Sequence, residues 1–163
     1  MKVSDAMTNT VVRVRANDSL SAAAQLMWER DCGAVPVVDE TTEQVIGMIT
    51  DRDICMAALM RDRAPSAIPV SDAMSRDLKA CAPDDSLAFA EQLMRTHQIR
   101  RIPIVDRDWH PLGLLSLADI VRATDRHKGR ATREVAPEEV VLTLADICAA
   151  PTREMNPPVP PAI

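Results

Sequence analysis

An α/β fold assembled from two tandem copies of one β-α-β-β-α unit is predicted, on three observations. The chain repeats itself: Val3-Ser4-Asp5-Ala6-Met7 returns unchanged as Val70-Ser71-Asp72-Ala73-Met74, an offset of 67, and repetition at a fixed period decides architecture before any motif does. From Val3 to Asp39, 15 of 37 positions are identical to their counterparts; one residue is then lost, and at an offset of 66 Gly47 meets Gly113 and Asp53-Ile54 meets Asp119-Ile120. Second, inside each copy short β-branched runs alternate with apolar residues at helical spacing, which marks the α/β class. Third, 163 residues with 47% hydrophobic and 26% charged content suffice for a core without disulfide or metal staples. The halves are expected at 1–64 and 65–126.

Each unit reads in the same order. A short helical turn at Val3–Met7 precedes a strand suggested by Val11, Val12 and Val14, matched by Leu78 and Cys81. Asp18 and Asp85 are expected to cap the first helix, as short acceptors just before a 3.6-residue period. Its apolar stripe is Leu20, Ala23, Ala24 and Met27 in one copy and Leu87, Ala90, Leu93 and Met94 in the other. Strands follow at Ala34–Val38 and Arg101–Val105, each carrying a proline that predicts an edge or a deliberate break. The third strands are Val45–Ile49 and Leu112–Leu115, each with a glycine, and the second helices are Asp51–Met60 and Leu117–Thr124. Beyond Thr124 the repeat ends. His127–Arg133 reads as a polar, basic linker. Pro137, Glu138 and Glu139 then start a helix with Val140, Leu144 and Ile147 on one face, although Val-Val-Leu-Thr-Leu also suits a strand. Residues 151–163 hold five prolines and are expected to be extended or disordered.

Several function classes fall away on composition. Net charge is −5 and the aromatics are only Trp28, Phe89 and Trp109, which argues against nucleic-acid binding. The longest apolar run, Ile54–Met60, is seven residues, where a membrane helix needs ~20. Asp5 enters at once with no apolar stretch behind it, so a soluble, cytoplasmic protein is expected. Cys32, Cys55 and Cys81 align with Ile99, Val121 and Val14 in the sister copies, and no Cys-x-x-Cys pair exists, so the cysteines read as small hydrophobes and no metal site is expected. His97, His110 and His127 are too scattered to form a ligand set; His97, just before Arg100, suits a solvated helix end or a minor phosphate contact. No nucleophile–base pair emerges, so no catalytic residues and no enzyme are expected.

Thr50-x-x-Asp53 and Ser116-x-x-Asp119 stand where each third strand turns into the second helix. Read from spacing alone, a hydroxyl followed three residues later by an acid is a capping box. The repeat also resembles the CBS domain, named after cystathionine β-synthase. The likeness rests on Asp-Ala-Met near each start, Pro-Val-Val-Asp and Pro-Ile-Val-Asp mid-unit, and Gly-Met-Ile-Thr-Asp-Arg-Asp-Ile and Gly-Leu-Leu-Ser-Leu-Ala-Asp-Ile. With no attached catalytic or transport domain, the chain is similar to small stand-alone bacterial CBS pairs of the hypoxic-response type.

That resemblance implies two units packed as a pseudo-twofold module, dimerising into a disc, with adenosine-containing ligands in the clefts. It implies that Asp53 and Asp119 accept hydrogen bonds from ribose hydroxyls, beside Thr50 and Ser116. A carboxylate can accept from two vicinal hydroxyls at once. It also implies that Val35, Pro36, Ile102 and Pro103 line the base pocket, where plain strand packing is the rival explanation. Arg100 and Arg101 have Gly33 and Ala34 as counterparts, so the second copy is better equipped for phosphate, which guanidinium engages bidentately. In the first copy Asp51 would repel phosphate unless Arg52 offsets it. The expected ligands are AMP, ADP, ATP, NAD or S-adenosylmethionine, regulatory rather than obligatory, and the expected partners are a second copy and an unknown regulated protein. A ligand-free dimeric adaptor, in which the turns only cap helices, is the competing function.

Overall fold

The computed structural model describes residues 1–9, 12–126 and 137–149. In the first repeat β1 (Val14–Arg15), α1 (Leu20–Glu29), β2 (Ala34–Val38), β3 (Val45–Thr50) and α2 (Asp51–Arg61) follow the predicted order. The second repeat supplies α3 (Leu87–His97), β4 (Arg101–Val105), β5 (Pro111–Ser116) and α4 (Leu117–Arg126), and α5 (Pro137–Cys148) closes the described chain. β2 lies between β1, which is parallel to it, and antiparallel β3; β4 and β5 pair antiparallel. The strand expected around Leu78 and Cys81 shrinks to one parallel bridge from Cys81 to Ile104. Val11, the linker and the proline-rich end lie outside the described residues.

The helix starts correct one detail. Ser19 and Ser86, not the aspartates before them, cap α1 and α3, accepting from the Ala22 and Phe89 amides at 3.2 and 3.1 Å. Asp18 and Asp85 instead accept from the amides of Arg15 and Ala82, three residues back, both at 2.7 Å, and so close the preceding turns.

The strand prolines are explained by what lies alongside. Pro36 faces Met48 across β2 and β3, but Met48 spends both its amide and its carbonyl on Ser75, at 3.0 and 2.9 Å. That rung therefore asks no donor of Pro36, and β1 pairs with β2 only from Val37 onward. Pro103 faces Leu114 in the same way, and Leu114 is bonded to Thr8 at 2.9 and 3.1 Å.

Those bonds expose an exchange between the repeats. The opening 3₁₀ turn Val3–Asp5 docks on the second repeat: the Val3 and Ser4 amides donate to Asp85 and Pro83, and Val3 and Ala6 are buried with Leu87, Met94 and Leu115. The matching turn Val70–Asp72 docks on the first repeat, where Ile68, Val70 and Met74 are buried with Leu20, Val37 and Ile49. Gly47 and Gly113 permit this crossing. A Cβ on either would sit 2.8 Å from the Ser75 carbonyl oxygen or 2.7 Å from that of Thr8, so the straps approach as closely as they do only over glycine. A third cluster, Val38, Val45 and Val105, joins the two sheets.

α5 is a helix and lies on α3 and α4. Val140 and Ile147 face the core as expected, but Thr143 is buried at 1% exposure in place of Leu144, its hydroxyl donating to the buried carboxylate of Glu91 at 2.5 Å. A buried acid needs such a partner, so Thr143 is selected over an aliphatic at this point.

Cys81 is buried and Cys32 half-buried, and burial pushes the Cys81 thiol up to about 11. Replacing Cys32 and Cys81 by Val should shift stability by less than ~1.5 kcal/mol, read from thermal melts, because the sister copies use aliphatics there. A larger loss would show that the sulfurs do more than fill space.

Candidate ligand site

Both second helices begin with the same device. Thr50 Oγ1 accepts the Asp53 amide at 3.1 Å and donates to Asp53 Oδ2 at 2.7 Å, and the Thr50 amide donates to the same oxygen at 2.9 Å. Ser116 and Asp119 repeat this at 3.2, 2.6 and 2.8 Å. The capping box is therefore complete at α2 and at α4. The copies differ at the other oxygen. Asp119, only 7% exposed, accepts from Arg122 Nη2 through Oδ1, whereas the counterpart of Arg122 in α2 is Met56. A carboxylate offers roughly four lone-pair sites; the cap occupies two on Oδ2 and Arg122 one on Oδ1, which leaves Oδ1 room for a further donor.

Asp119 lines a cavity of about 860 Å³ between the repeats, inside the usual ~300–1,000 Å³ of small-molecule sites. The second repeat contributes Arg100, Arg101, Ser116, Asp119 and Arg122; the first contributes Arg30, Asp31, Gly33, Pro36 and Asp51; the crossing strap adds Thr8. The Leu117 amide donates to the Arg100 carbonyl at 2.9 Å, which pins the start of β4 to the start of α4 and sets the arginine pair beside the Ser116 turn. The same bond in the first copy runs from Asp51 to Gly33 at 3.3 Å. Asp51 and Arg101 flank Gly33: a Cβ there would lie 2.9 Å from Asp51 Oδ2 and 3.6 Å from Arg101 Nη2. Four arginines and three aspartates thus line the cavity, with both signs contributed by each repeat.

The sequence profile of the CBS domain matches residues 3–60 and 70–126. The chain is a CBS domain pair. It is 36% identical over 140 residues to the CBS domain-containing protein YhcV of Bacillus subtilis, covering 85% of this chain and 97% of that one. To Hypoxic response protein 1 of Mycobacterium tuberculosis it is 30% identical over 123 residues, covering 76% and 85%. A crystal structure of Hypoxic Response Protein I, described with two coordinated zinc ions, superposes with a TM-score of 0.68 at 30% identity, covering 75% of this chain and 98% of that one. The CBS domain pair of protein MJ0100, described in complex with 5′-methylthioadenosine and S-adenosyl-L-methionine, gives 0.70 at 23% identity, covering 78% and 98%; this is a likeness of fold.

In this CBS pair the residues singled out in the sequence divide into two groups. Pro36, Arg100, Arg101, Ser116 and Asp119 meet in the cavity. Thr50 and Asp53 stay at their own cap, outside that lining, and Arg52 is exposed, its amide donating to Asp51 Oδ1 at 2.7 Å. Asp51 and Arg101, from the other repeat, both line the cavity, and Arg52 is not part of that lining. Val35 and Ile102, expected as walls, turn their side chains into the two cores at 1% and 0% exposure, because neighbours along a strand face opposite ways. Pro103 is buried in β4 and is not part of the lining. His97 is exposed at the last residue of α3.

Arg122, Arg30, Asp31, Asp51 and Thr8 were not singled out as site residues. Arg122 was findable, since it lies three residues beyond Asp119 on the same helix. Arg30 and Asp31 follow α1 of the opposite repeat, where Asp31 adopts a left-handed φ of 49° mirrored by 53° at Gln98. Only the packing of the repeats brings them in. Among the described residues one trio could share a metal ion: Asp106, Asp108 and His110, with ligand atoms within 4.8 Å of one another. Asp106 Oδ1 already accepts from the Asp108 and His110 amides at 2.9 and 2.8 Å, so the trio is accounted for as a hairpin turn.

Proposed function

We propose that this CBS pair is a regulatory, non-catalytic module that binds an adenosyl ligand in the cavity at Asp119 and reports occupancy to a regulated protein. It works as a cytoplasmic homodimer in this reading. One observation carries it: the cavity joins a buried carboxylate with spare acceptor capacity to an arginine pair, with walls drawn from both repeats. Asp119 accepts a ribose hydroxyl through Oδ1, Ser116 holds Asp119 and caps α4, and Arg100 or Arg101 meets the phosphates or a carboxylate. Because the walls come from both repeats, a ligand that binds one relative arrangement more tightly shifts the module toward it. Among the described residues no helix is long and apolar enough to cross a membrane.

The adaptor reading has its own support: both capping boxes are complete within the chain, so the turns have a structural role of their own. Calorimetric titration of the full chain with AMP, ADP, ATP, NAD and S-adenosylmethionine separates the two. At least one should bind. If a nucleotide does, Arg100→Ala and Arg101→Ala should weaken ATP more than adenosine, since only the phosphate contact is lost. No binding by any of the five would favour the adaptor.

A further inference from the structure

Duplication lets one repeat serve as the reference for the other, and the two capping aspartates differ in the acceptor capacity they keep. A carboxylate accepts roughly four hydrogen bonds, about two at each oxygen. In both repeats Oδ2 is filled by the turn: Asp53 takes the Thr50 amide and hydroxyl at 2.9 and 2.7 Å, and Asp119 takes those of Ser116 at 2.8 and 2.6 Å. Whatever a ligand asks of either carboxylate therefore falls on Oδ1.

At that oxygen the repeats part. Arg122, three residues further along α4, donates from Nη2 to Asp119 Oδ1. Its counterpart in α2 is Met56, which has no N–H to give. The ribose of an adenosyl ligand carries two vicinal hydroxyls, each with one proton to donate. A carboxylate placed like Asp53 has both Oδ1 positions for them, whereas Asp119 has one. Arg122 is also within reach of a ligand, since its side chain is 64% exposed and lines the 860 Å³ cavity together with Asp119. A guanidinium has five donors in one plane and serves several acceptors at once. The oxygen at the second ribose position thus has a donor beside it instead of an acceptor, and such a donor binds a phosphate ester more strongly than a hydroxyl.

We infer that Arg122 makes ribose recognition at Asp119 one-sided: Asp119 reads a single hydroxyl through Oδ1, Arg122 reads the oxygen at the neighbouring position, and the cavity therefore admits adenosine nucleotides phosphorylated on that second hydroxyl. The lining, with four arginines to three aspartates, suits the added negative charge. Arg122 is then a specificity-determining residue, a role that rests on the adenosyl ligand proposed above.

Calorimetric titration of the full chain and of Arg122→Met tests this with five probes: AMP, its 2′-deoxy and 3′-deoxy analogues, and adenosine 2′,5′- and 3′,5′-bisphosphate. The substitution copies the residue of the first repeat, so α4 keeps a side chain its sister helix already carries. In the native chain one deoxy analogue should bind within about three-fold of AMP and the other about ten-fold more weakly. The bisphosphate whose extra phosphate sits at the tolerant position should bind at least as tightly as AMP. In Arg122→Met both deoxy analogues and that bisphosphate should each fall about ten-fold below AMP, because Oδ1 then reads both hydroxyls and the cation is gone. A purely structural Arg122 would weaken all five probes alike, which would overturn the inference. Equal losses for the two deoxy analogues in the native chain, an asymmetry that survives Arg122→Met, or rejection of both bisphosphates would each overturn it too. In those cases an AMP affinity that still falls in Asp119→Ala leaves the ribose assignment standing. AMP binding that Asp119→Ala leaves unchanged would remove both, and no AMP binding at all would overturn the inference and leave the proposed function to the other ligands.

Discussion

Asp119→Ala is expected to weaken adenosyl-ligand binding by ten-fold or more. Hydrogen bonds to a charged acceptor contribute ~1.5–3 kcal/mol each, and ~1.4 kcal/mol is one decade of affinity. The same change removes a helix cap, so stability should fall by about 0.5–2 kcal/mol as well. Asp53→Ala separates the two effects. It removes an identical capping box, from Thr50, but its carboxylate is not part of the 860 Å³ lining. The melts of the two variants should therefore drop alike, while calorimetric affinity falls steeply only in Asp119→Ala. Wild-type affinity in Asp119→Ala would remove the ribose assignment. An equal loss in both variants would place a second binding site at Asp53.

Gly113→Ala is expected to be the most damaging of the three single-methyl additions at Gly33, Gly47 and Gly113. Its Cβ would sit 2.7 Å from a backbone oxygen of Thr8, and backbone held at both ends cannot step aside as a side chain can. The strap must lift, breaking the paired Thr8–Leu114 bonds and uncovering Val3 and Ala6. A loss of roughly 2–4 kcal/mol follows from two unmade backbone bonds and the opened core edge. Thr8 and Gly113 also line the cavity, so ligand affinity should fall with stability. Gly47→Ala meets Ser75 in the same way and should cost nearly as much, whereas Gly33→Ala meets only side-chain ends, those of Asp51 and Arg101, and should melt close to wild type. A Gly113→Ala melt within about 1 °C of the parent would mean that the strap is not held by that close approach.

Much of this was legible in the sequence because it is local. The second strands fall on Ala34–Val38 and Arg101–Val105 as read, since β-branched runs between turn residues leave little choice. The caps moved by one residue because Asp-Ser offers two acceptors, and only the backbone decides which one meets the helix. The apolar spacing puts Leu144 on the buried face of α5 with Val140 and Ile147, whereas Thr143 is the buried residue, because Glu91 opposite, distant in sequence, takes its hydroxyl. The cavity was half legible. Ser116, Asp119, Arg100 and Arg101 lie within one repeat and carry a motif, whereas Arg30, Asp31 and Thr8 arrive from elements that no local pattern connects to them. Val35 and Ile102 fall in the cores rather than in the cavity lining for a simpler reason: a strand dipeptide cannot turn both side chains the same way.

The crossed straps also govern how this chain can be cut and how it can be made. On the ribosome, Val3 and Ala6 emerge well before Leu87, Leu115 and Ile120, which complete the pocket that buries them, so the earlier strap waits for the later strands. Neither repeat carries its own lid: the first borrows Val70 and Met74, and the second borrows Val3 and Ala6. A nick in the exposed stretch near Arg63 would leave two fragments, each holding the piece the other lacks. Such fragments should be poorly structured alone and should recombine stoichiometrically when mixed, a form of complementation that a pair of self-contained repeats would not show.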